Sequence, residues 1–277
     1  MKAAPFRYER PRELGAALEL LDDPESKAIA GGQSLVPMMA MRLARPRALV
    51  DLREVAGLDR LERRDGELET GAMVRQRTLE RRPGLERELP LLAAAIPFVG
   101  HREIRNRGTV GGSIAHADPS AELGLVAATL GATIVAQGPG GRREIPGDEF
   151  VLGPFQTALE NDELLTAVRW PVAGAGDGYA FEEVARRHGD FALCGVAIHV
   201  RRSSERALAR VGLMGVAPAP LVRELDLQGD DDLGQLAAGI ADELDPSGDM
   251  HASGPYRKRL ARVLVERCLR RALTEAK

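Results

Sequence analysis

The chain has 277 residues, of which 44% are hydrophobic and 29% are charged, a composition typical of a globular protein large enough for two domains. Its formal net charge of -3 excludes the strong basic excess that binding to a nucleic-acid backbone requires. The longest nearly apolar stretch, residues 123–136, is too short to cross a bilayer, and no apolar run follows residues 1–10 as it would in a secretory signal. We therefore expect a cytoplasmic protein without a membrane span.

The first part of the chain alternates between helical and strand patterns. Apolar residues at helical spacing predict a helix over residues 11–21, and residues 27–30 predict a short strand. That strand leads into the first glycine loop, Ala30-Gly31-Gly32-Gln33-Ser34, after which a helix starts at Ser34 and residues 48–52 predict another strand. This order of strand, glycine loop, helix and strand is typical of an α/β or α+β cofactor domain.

The middle of the chain contains the second glycine loop, Thr109-Val110-Gly111-Gly112-Ser113. Before this loop, residues 67–71 predict a strand. After it, Asp118 and Pro119 predict the start of a helix, with Asp118 as the capping residue and Pro119 at the first helical position. We expect that helix to continue through residues 123–130.

The last third of the chain predicts a separate unit. Gly, Ala, Pro and Asp crowd into residues 171–178, which indicates a linker. Beyond it, residues 192–201 and 208–216 predict neighbouring strands, and residues 233–244 and 255–276 predict helices. The last helix has an apolar stripe of Leu264, Val265, Cys268, Leu269 and Ala272, and we expect Arg257, Lys258, Arg262, Arg267 and Arg270 on a solvated basic face.

The two glycine loops are the candidate functional sites. Consecutive glycines let backbone N–H groups approach an anion closely, and a following helix adds the positive end of its dipole. Ser34 and Ser113 each add a hydroxyl donor. One such loop alone fits a simple tight turn at least as well. Two of them together predict a dinucleotide whose pyrophosphate is bound from both sides.

Other nucleotide-binding and catalytic patterns are missing. The spacing Gly108-x-x-Gly111-Gly112 lacks the third glycine of the Rossmann motif, and no Walker-type Gly-Lys-Ser occurs. The segment Gly32-Gln33-Ser34-Leu35-Val36 lacks the closing glycine of a nucleophile elbow, and the five histidines do not have metal-ligand spacing. Cys194 and Cys268 are too few for a four-thiolate cluster, so we expect both to be buried. We therefore predict no metal site and no catalytic acid or base.

Residues 30–52 and 104–123 resemble the two signatures of the FAD-binding medium subunit of molybdenum hydroxylases, the family of the carbon monoxide dehydrogenase and xanthine dehydrogenase flavoproteins. The resemblance continues in order through Asp162-Glu163-Leu164-Leu165, Trp170-Pro171, Gly189-Asp190-Phe191 and Tyr256-Arg257. It implies an α+β fold. A two-subdomain FAD-binding domain of the vanillyl-alcohol-oxidase/PCMH type would cover residues 1–173, with subdomains of about 1–56 and 57–173 divided near Gly57. A smaller α+β C-terminal domain would cover residues 174–277.

The resemblance also implies which residues contact FAD. The two loops would bind the pyrophosphate, Glu122 would reach the adenosine side, and Phe191 would shield the isoalloxazine ring. A helix-surface role for Glu122 and core packing for Val99 and Phe191 are the alternatives. The implied contacts are Ile29, Ala30, Gly31, Gly32, Gln33, Ser34, Leu35, Val99, Gly100, Thr109, Gly111, Gly112, Ser113, Glu122, Leu164 and Phe191.

Some positions depart from the family pattern. Gln33 stands where His is commoner, Ser113 where Asn is commoner, and His116 where a small or amide residue is frequent. Glu182-Glu183 occupy the stretch in which some relatives place a Lys near the flavin. These changes keep hydrogen-bonding groups at the loops, so we expect FAD binding to persist, while the tuning of the flavin and the electron acceptor stay open.

In function, the resemblance implies an electron relay from the iron–sulfur clusters of a partner through FAD to an external acceptor. The partners would be a large molybdenum-cofactor subunit and a small [2Fe-2S] subunit, assembled as a dimer of heterotrimers. Two alternatives remain from other classes. One is a self-sufficient FAD-dependent oxidase or reductase, and the other is a non-catalytic nucleotide-binding assembly subunit.

Overall fold

A computed structural model describes residues 2–203, 206–229 and 231–276 of the chain. Its strands form sheets of three, five and four strands, and a two-stranded ribbon. The three larger sheets follow one another along the sequence, apart from the return of one strand to the five-stranded sheet. Helices and strands both contribute to each core, so the predicted α+β class is confirmed.

The first sheet is parallel and carries the first glycine loop at one edge. Its elements are β1 (Arg7–Glu9), α1 (Leu14–Leu21), β2 (Ser26–Ile29), α2 (Leu35–Ala40) and β3 (Ala48–Asp51). Both β1 and β2 pair in parallel with β3. The carboxyl ends of these strands therefore lie at the same edge, where ligands commonly bind in parallel sheets. The first glycine loop follows β2 at that edge, and Asp51 ends β3 there.

The second sheet is antiparallel and is covered by short helices. Its region contains β4 (Leu61–Arg64), β5 (Glu67–Gly71), α3 (Gln76–Glu80), α4 (Leu85–Glu88), α5 (Pro90–Ala95), α6 (Arg102–Arg107), α7 (Val110–His116), α8 (Glu122–Leu130), β6 (Thr133–Gly138), β7 (Gly141–Pro146), α9 (Gly147–Phe150), β8 (Val151–Gly153), β9 (Gln156–Thr157) and β10 (Leu164–Pro171). The strand order is β4-β5-β10-β6-β7, so β10 returns to the middle of the sheet. The second glycine loop spans the start of α7.

The predicted start of α8 at Asp118 is wrong. The helix begins at Glu122 with Ala121 as its extended N-terminal residue. The Asp118 carboxylate instead accepts a hydrogen bond from the Ser120 N–H at 2.9 Å, which closes a local turn. The Pro119 carbonyl accepts from the backbone of the C-terminal region, so this segment follows its tertiary contacts rather than the helix that Asp-Pro favours.

The third sheet is an antiparallel meander between two layers of helices. It comprises β11 (Asp177–Ala185), β12 (Ala192–Ser203), β13 (Arg206–Met214) and β14 (Leu221–Gln228), followed by α10 (Leu233–Asp242) and α11 (Gly254–Glu275). Alternating residues face opposite layers, as expected for a strand. Phe181 and Ala197 pack with α5 and α8, whereas Ala180 and Ile198 pack with α10 and α11. The predicted pairing of residues 192–201 with 208–216 is confirmed.

Helix α11 has the predicted apolar stripe, but the prediction that Arg257 lies on its solvated basic face is wrong. Arg257 is only 7% exposed, not solvated. Its guanidinium donates to the carbonyl oxygens of Leu193 and Gly215 and forms an ion pair with Asp249 at 2.7 Å. These acceptors compensate its burial. Both cysteines are buried and free, as predicted.

Candidate functional site

The two glycine loops lie against each other. A Cβ atom on Gly31 would overlap the Arg107 carbonyl oxygen and lie 2.8 Å from Gly108 Cα. A Cβ atom on Gly112 would lie 3.1 Å from the Ala30 Cβ. Any side chain at Gly31 would therefore push the loops apart, and only glycine permits this approach. The fold thus brings together two segments that the sequence separates widely.

The two loops differ in whether their backbone N–H groups already have hydrogen-bond partners. In the second loop, the Gly111 N–H donates to the Ala72 carbonyl at 3.0 Å, and the Gly112 N–H donates to Thr109 Oγ1 at 3.0 Å. In the first loop, the N–H groups of residues 31–34 have no hydrogen-bond partner among the described residues. The expectation that both loops offer free N–H groups therefore holds only for the first loop.

A cavity of about 410 Å³ opens beside the first loop at the carboxyl ends of the parallel strands. Gly32 has a φ of 72° there, a left-handed conformation that glycine adopts without strain. The Gln33 side chain turns back to donate to the Gly31 carbonyl at 3.0 Å. The cavity is lined by Tyr8, Ile29, Ala30, Gly31, Gly32, Gln33, Val36, Pro37, Asp51, Arg53 and Arg107.

Three residues that line this cavity form a polar network that the sequence did not predict. Arg53 binds the Asp51 carboxylate through Nε at 2.8 Å and Nη2 at 2.6 Å, and Nη2 also donates to the Tyr8 hydroxyl at 2.8 Å. The Tyr8 hydroxyl in turn donates to Asp51. Burial raises the pKa of Asp51, but the hydrogen bonds from Arg53 and Tyr8 outweigh it and hold the pKa below its usual range. The signal available in the sequence was an acidic residue that ends a predicted strand.

The residues expected beside the flavin fall into two groups. Val99 and Leu164 are buried in separate apolar clusters. Gly100 meets the turn at Gly189, where a Cβ atom would lie 3.0 Å from the Gly100 carbonyl oxygen. Phe191 follows that turn and is 74% exposed. The alternative of Phe191 as a core residue is therefore wrong, whereas Val99 does contribute to a core.

Glu122 is buried, so its alternative role as a helix-surface carboxylate is also wrong. It is 7% exposed, and burial raises its pKa to about 7. Across the interface between α8 and the third sheet, burial and the charge of Glu122 raise the pKa of Glu183 to about 8. The Glu183 Oε2 atom has no hydrogen-bond partner within the described ranges. Its neighbour Glu182 faces α11 and pairs with Arg267 at 2.9 Å.

The remaining predicted contacts lie at the loops. Ser34 and Leu35 begin α2, and Thr109 and Ser113 flank the start of α7. Burial lowers the pKa of His116, whose ring centroid lies 5.1 Å from that of Phe155. In the part of the chain that the structure describes, no three His, Cys, Asp or Glu side chains cluster to bind a metal, and no helix is long and apolar enough to cross a membrane.

The amino-acid sequence matches two family models. One, described as the FAD binding domain in molybdopterin dehydrogenase, covers residues 4–173. The other, described as the CO dehydrogenase flavoprotein C-terminal domain, covers residues 179–272. Together they cover most of the chain, in the order that the resemblance implied.

Similar proteins extend over nearly the same length. The nicotine 6-hydroxylase medium subunit of Paenarthrobacter nicotinovorans is 38% identical, with 97% of this chain and 98% of that protein covered. The carbon monoxide dehydrogenase medium chain of Hydrogenophaga pseudoflava is 34% identical, with 96% of each chain covered. The solved structure of carbon monoxide dehydrogenase from Hydrogenophaga pseudoflava matches with a TM-score of 0.93 and 32% identity over all of both chains. Quinoline 2-oxidoreductase from Pseudomonas putida 86 matches with a TM-score of 0.91 and 35% identity, covering 100% of this chain and 99% of that one.

Proposed function

This chain belongs to the family of FAD-binding medium subunits of molybdenum hydroxylases, and from that premise we propose that it relays electrons from the iron–sulfur clusters of a partner to an external acceptor. FAD is the cofactor of the family, and the chain is a subunit of an oxidoreductase. When bound, FAD supplies electron-transfer chemistry, while the protein supplies binding and orientation.

The free N–H groups of the first glycine loop are the observation that supports FAD binding, on which the proposed relay depends. Those of Gly31, Gly32 and Gln33 belong to residues that line the cavity at the carboxyl ends of the parallel strands, and they are available to a phosphate oxygen. The second loop packs against them through Gly31 and Gly112, which fixes their position. This geometry fits a pyrophosphate bound mainly by the first loop and enclosed by the second.

The remaining contacts extend the same proposal along the cofactor. Glu122 would lie towards the adenosine side, and Val99, Gly100 and Leu164 towards the flavin. The exposed Phe191 would cover the isoalloxazine face, which would explain why an aromatic ring projects from the turn after Gly189. The full set that we propose is the one implied by the resemblance, residues 29–35, 99–100, 109, 111–113, 122, 164 and 191.

The missing redox centres are assigned to other chains. Cys194 and Cys268 are both buried, and burial raises the pKa of each thiol to about 12, which disfavours the thiolate that a cluster needs. We infer a small [2Fe-2S] subunit and a large molybdenum-cofactor subunit as partners, in a dimer of heterotrimers. We also place the limit of the FAD-binding domain near residue 173 and the division of its subdomains near Gly57.

Two experiments test this function. The first is Gly32→Asp, which puts a side chain and a negative charge beside the free N–H groups and should yield a largely colourless protein. Gly141→Asp is the matched control, because Gly141 also has a positive φ, of 107°, and a Cβ atom there meets nothing within 4 Å. Full FAD content in folded Gly32→Asp protein would show that the first loop is misassigned.

The second experiment separates a relay from a self-sufficient enzyme. The isolated chain is reconstituted with FAD, and dye reduction driven by the substrate of the complex is assayed before and after the two partner subunits are added. We expect turnover only with the partners present. Steady turnover by the isolated flavoprotein would contradict the relay and favour the oxidase or reductase alternative.

A further inference from the structure

Three arginine side chains converge where the two glycine loops meet. Arg53 and Arg107 both line the cavity beside the first loop. Arg75 donates from Nη1 to the Arg107 carbonyl oxygen, and its backbone forms an isolated β-bridge with Thr109. The same carbonyl group of Arg107 is the one that Gly31 approaches. The guanidinium groups of Arg53 and Arg75 and the backbone of Arg107 thus belong to the same junction as the loops, and the charge of Arg107 also acts on Arg75.

The positive charge at this junction is not balanced. Among the described residues, Asp51 is the carboxylate that lines the cavity, and Arg53 already binds it through two nitrogens. Neither Arg75 nor Arg107 has an ion pair in residues 2–203, 206–229 and 231–276. Burial lowers the pKa of Arg75, and the charges of Arg107 and Arg53 lower it further.

Arg75 is half-buried, and the other buried or half-buried arginines among the described residues are paired with a carboxylate. Arg105 binds both carboxylate oxygens of Glu80, at 3.0 and 3.1 Å. Arg210 reaches Asp148 at 2.8 Å. Positive charges that are brought together without acidic partners destabilise a fold by mutual repulsion. Their concentration beside free N–H donors therefore indicates a site for an anion that the chain itself does not supply.

We propose that Arg53 and Arg107 bind the diphosphate of FAD together with the first glycine loop, and that Arg75 is a positioning residue that holds the Arg107 backbone in place. This inference rests on the function proposed above and extends it to specificity. Guanidinium groups form strong, charge-assisted bonds to phosphate oxygens. The cluster would make the chain select a flavin that carries a diphosphate over riboflavin, which carries no phosphate.

The rigidity of Arg53 supports this division of roles. Its guanidinium is fixed by Asp51 and by the Tyr8 hydroxyl, so little side-chain entropy is lost when it binds an anion. Arg107 is exposed and ends α6, so it can turn towards the ligand. A fixed donor and an adjustable donor would then face the same diphosphate.

The test measures binding by the FAD-free full-length chain, and no turnover is needed. Affinities for FAD, ADP and riboflavin are measured by calorimetry or flavin fluorescence for the wild type, Arg107→Gln and Arg107→Lys. Arg102→Gln is the matched control, because Arg102 lies in the same helix, is exposed and does not line the cavity. Its substitution removes the same charge from the protein.

We expect Arg107→Gln to lower the affinity for FAD and for ADP by roughly ten- to a hundredfold and to make both affinities less dependent on salt. The affinity for riboflavin should not change. Arg107→Lys should keep most of the affinity, and Arg102→Gln all of it. Equal losses for FAD and riboflavin, or FAD affinity in Arg107→Gln equal to that in Arg102→Gln, would overturn the proposal. A complex that binds FAD normally but fails to relay electrons would contradict only the function proposed above.

Discussion

Replacement of Glu122 by Gln tests the electrostatics of the α8 interface. Burial raises the pKa of this carboxyl to about 7 from an ordinary value of 4.5, and the Asp118 charge acts in the same direction. The Glu122 backbone N–H favours the charged form, as does the Arg105 charge, but neither compensates the burial. The folded chain therefore keeps a proton on Glu122 at pH values where the unfolded chain releases it.

The sign of the pH dependence follows from this difference in proton binding. Between about pH 4.5 and 7 the folded state binds more protons than the unfolded state, so the free energy of unfolding falls as the pH rises. A rise of the pKa from 4.5 to about 7 corresponds to roughly 3 kcal/mol, fully lost above both values. Gln has nearly the same shape and no titration. Glu122→Gln should therefore be more stable than the wild type by about 3 kcal/mol above about pH 8, and nearly equal below about pH 4.5.

The assay is urea unfolding of the FAD-free chain at a series of pH values from about 4.5 to 8.5, followed by circular dichroism. Glu149→Gln is the control, because Glu149 is exposed and forms no ion pair among the described residues. Its stability should follow the wild-type curve. A gap between Glu122→Gln and the wild type that stays constant across this range, or that grows towards low pH, would refute the reasoning.

Three further substitutions test other parts of the structure. Phe191→Ala should retain FAD but change the flavin absorbance or its reoxidation by oxygen, and an unchanged spectrum and rate would remove Phe191 from the flavin site. Gly212→Ala places a Cβ atom that overlaps Thr129 Oγ1, and should lower the unfolding free energy by about 1–3 kcal/mol, whereas Gly239→Ala, which meets nothing within 4 Å, should not. Arg257→Met removes the guanidinium donor from the buried Leu193 carbonyl and the half-buried Gly215 carbonyl and should cost about 3 kcal/mol; a melting temperature within a degree or so of the wild type would contradict that role.

Local patterns in the sequence predicted local structure well. The strand expected over residues 67–71 is Glu67–Gly71, and the last helix has the expected apolar stripe. These features depend on side-chain periodicity within a single element, which the sequence displays directly. The failures at Asp118 and Arg257 have another cause. Contacts with distant segments determine both conformations. The Gly215 N–H bonds the turn after Asp118, and the Leu193 and Gly215 carbonyls accept from Arg257.

The candidate site shows the same limit. The sequence predicts the two loops because a pair of glycines by itself indicates a close approach of the backbone. The network of Tyr8, Asp51 and Arg53 is not visible, because it forms only when β1 and β3 pair in parallel and bring residues 8 and 51 to one edge. Arg75 and Arg107 lie 32 residues apart in the sequence and meet through the hydrogen bond from Arg75 to the Arg107 carbonyl, next to the β-bridge between Arg75 and Thr109. Prediction of these contacts would have required the pairing of the strands first.

The two glycine loops are alike in sequence, but their backbone N–H groups have different roles in the structure. In the second loop, the Gly111 N–H donates to Ala72 and the Gly112 N–H donates to Thr109, so the absence of side chains at these glycines permits close packing. In the first loop the N–H groups of residues 31–34 have no hydrogen-bond partner among the described residues, and Gly32, with its left-handed φ, lines the cavity. An anion needs donors that are unpaired before it arrives and a frame that does not move when it binds. In the FAD binding that we propose, the first loop meets the first requirement and the second loop meets the second, so the two similar motifs serve one cofactor in different ways.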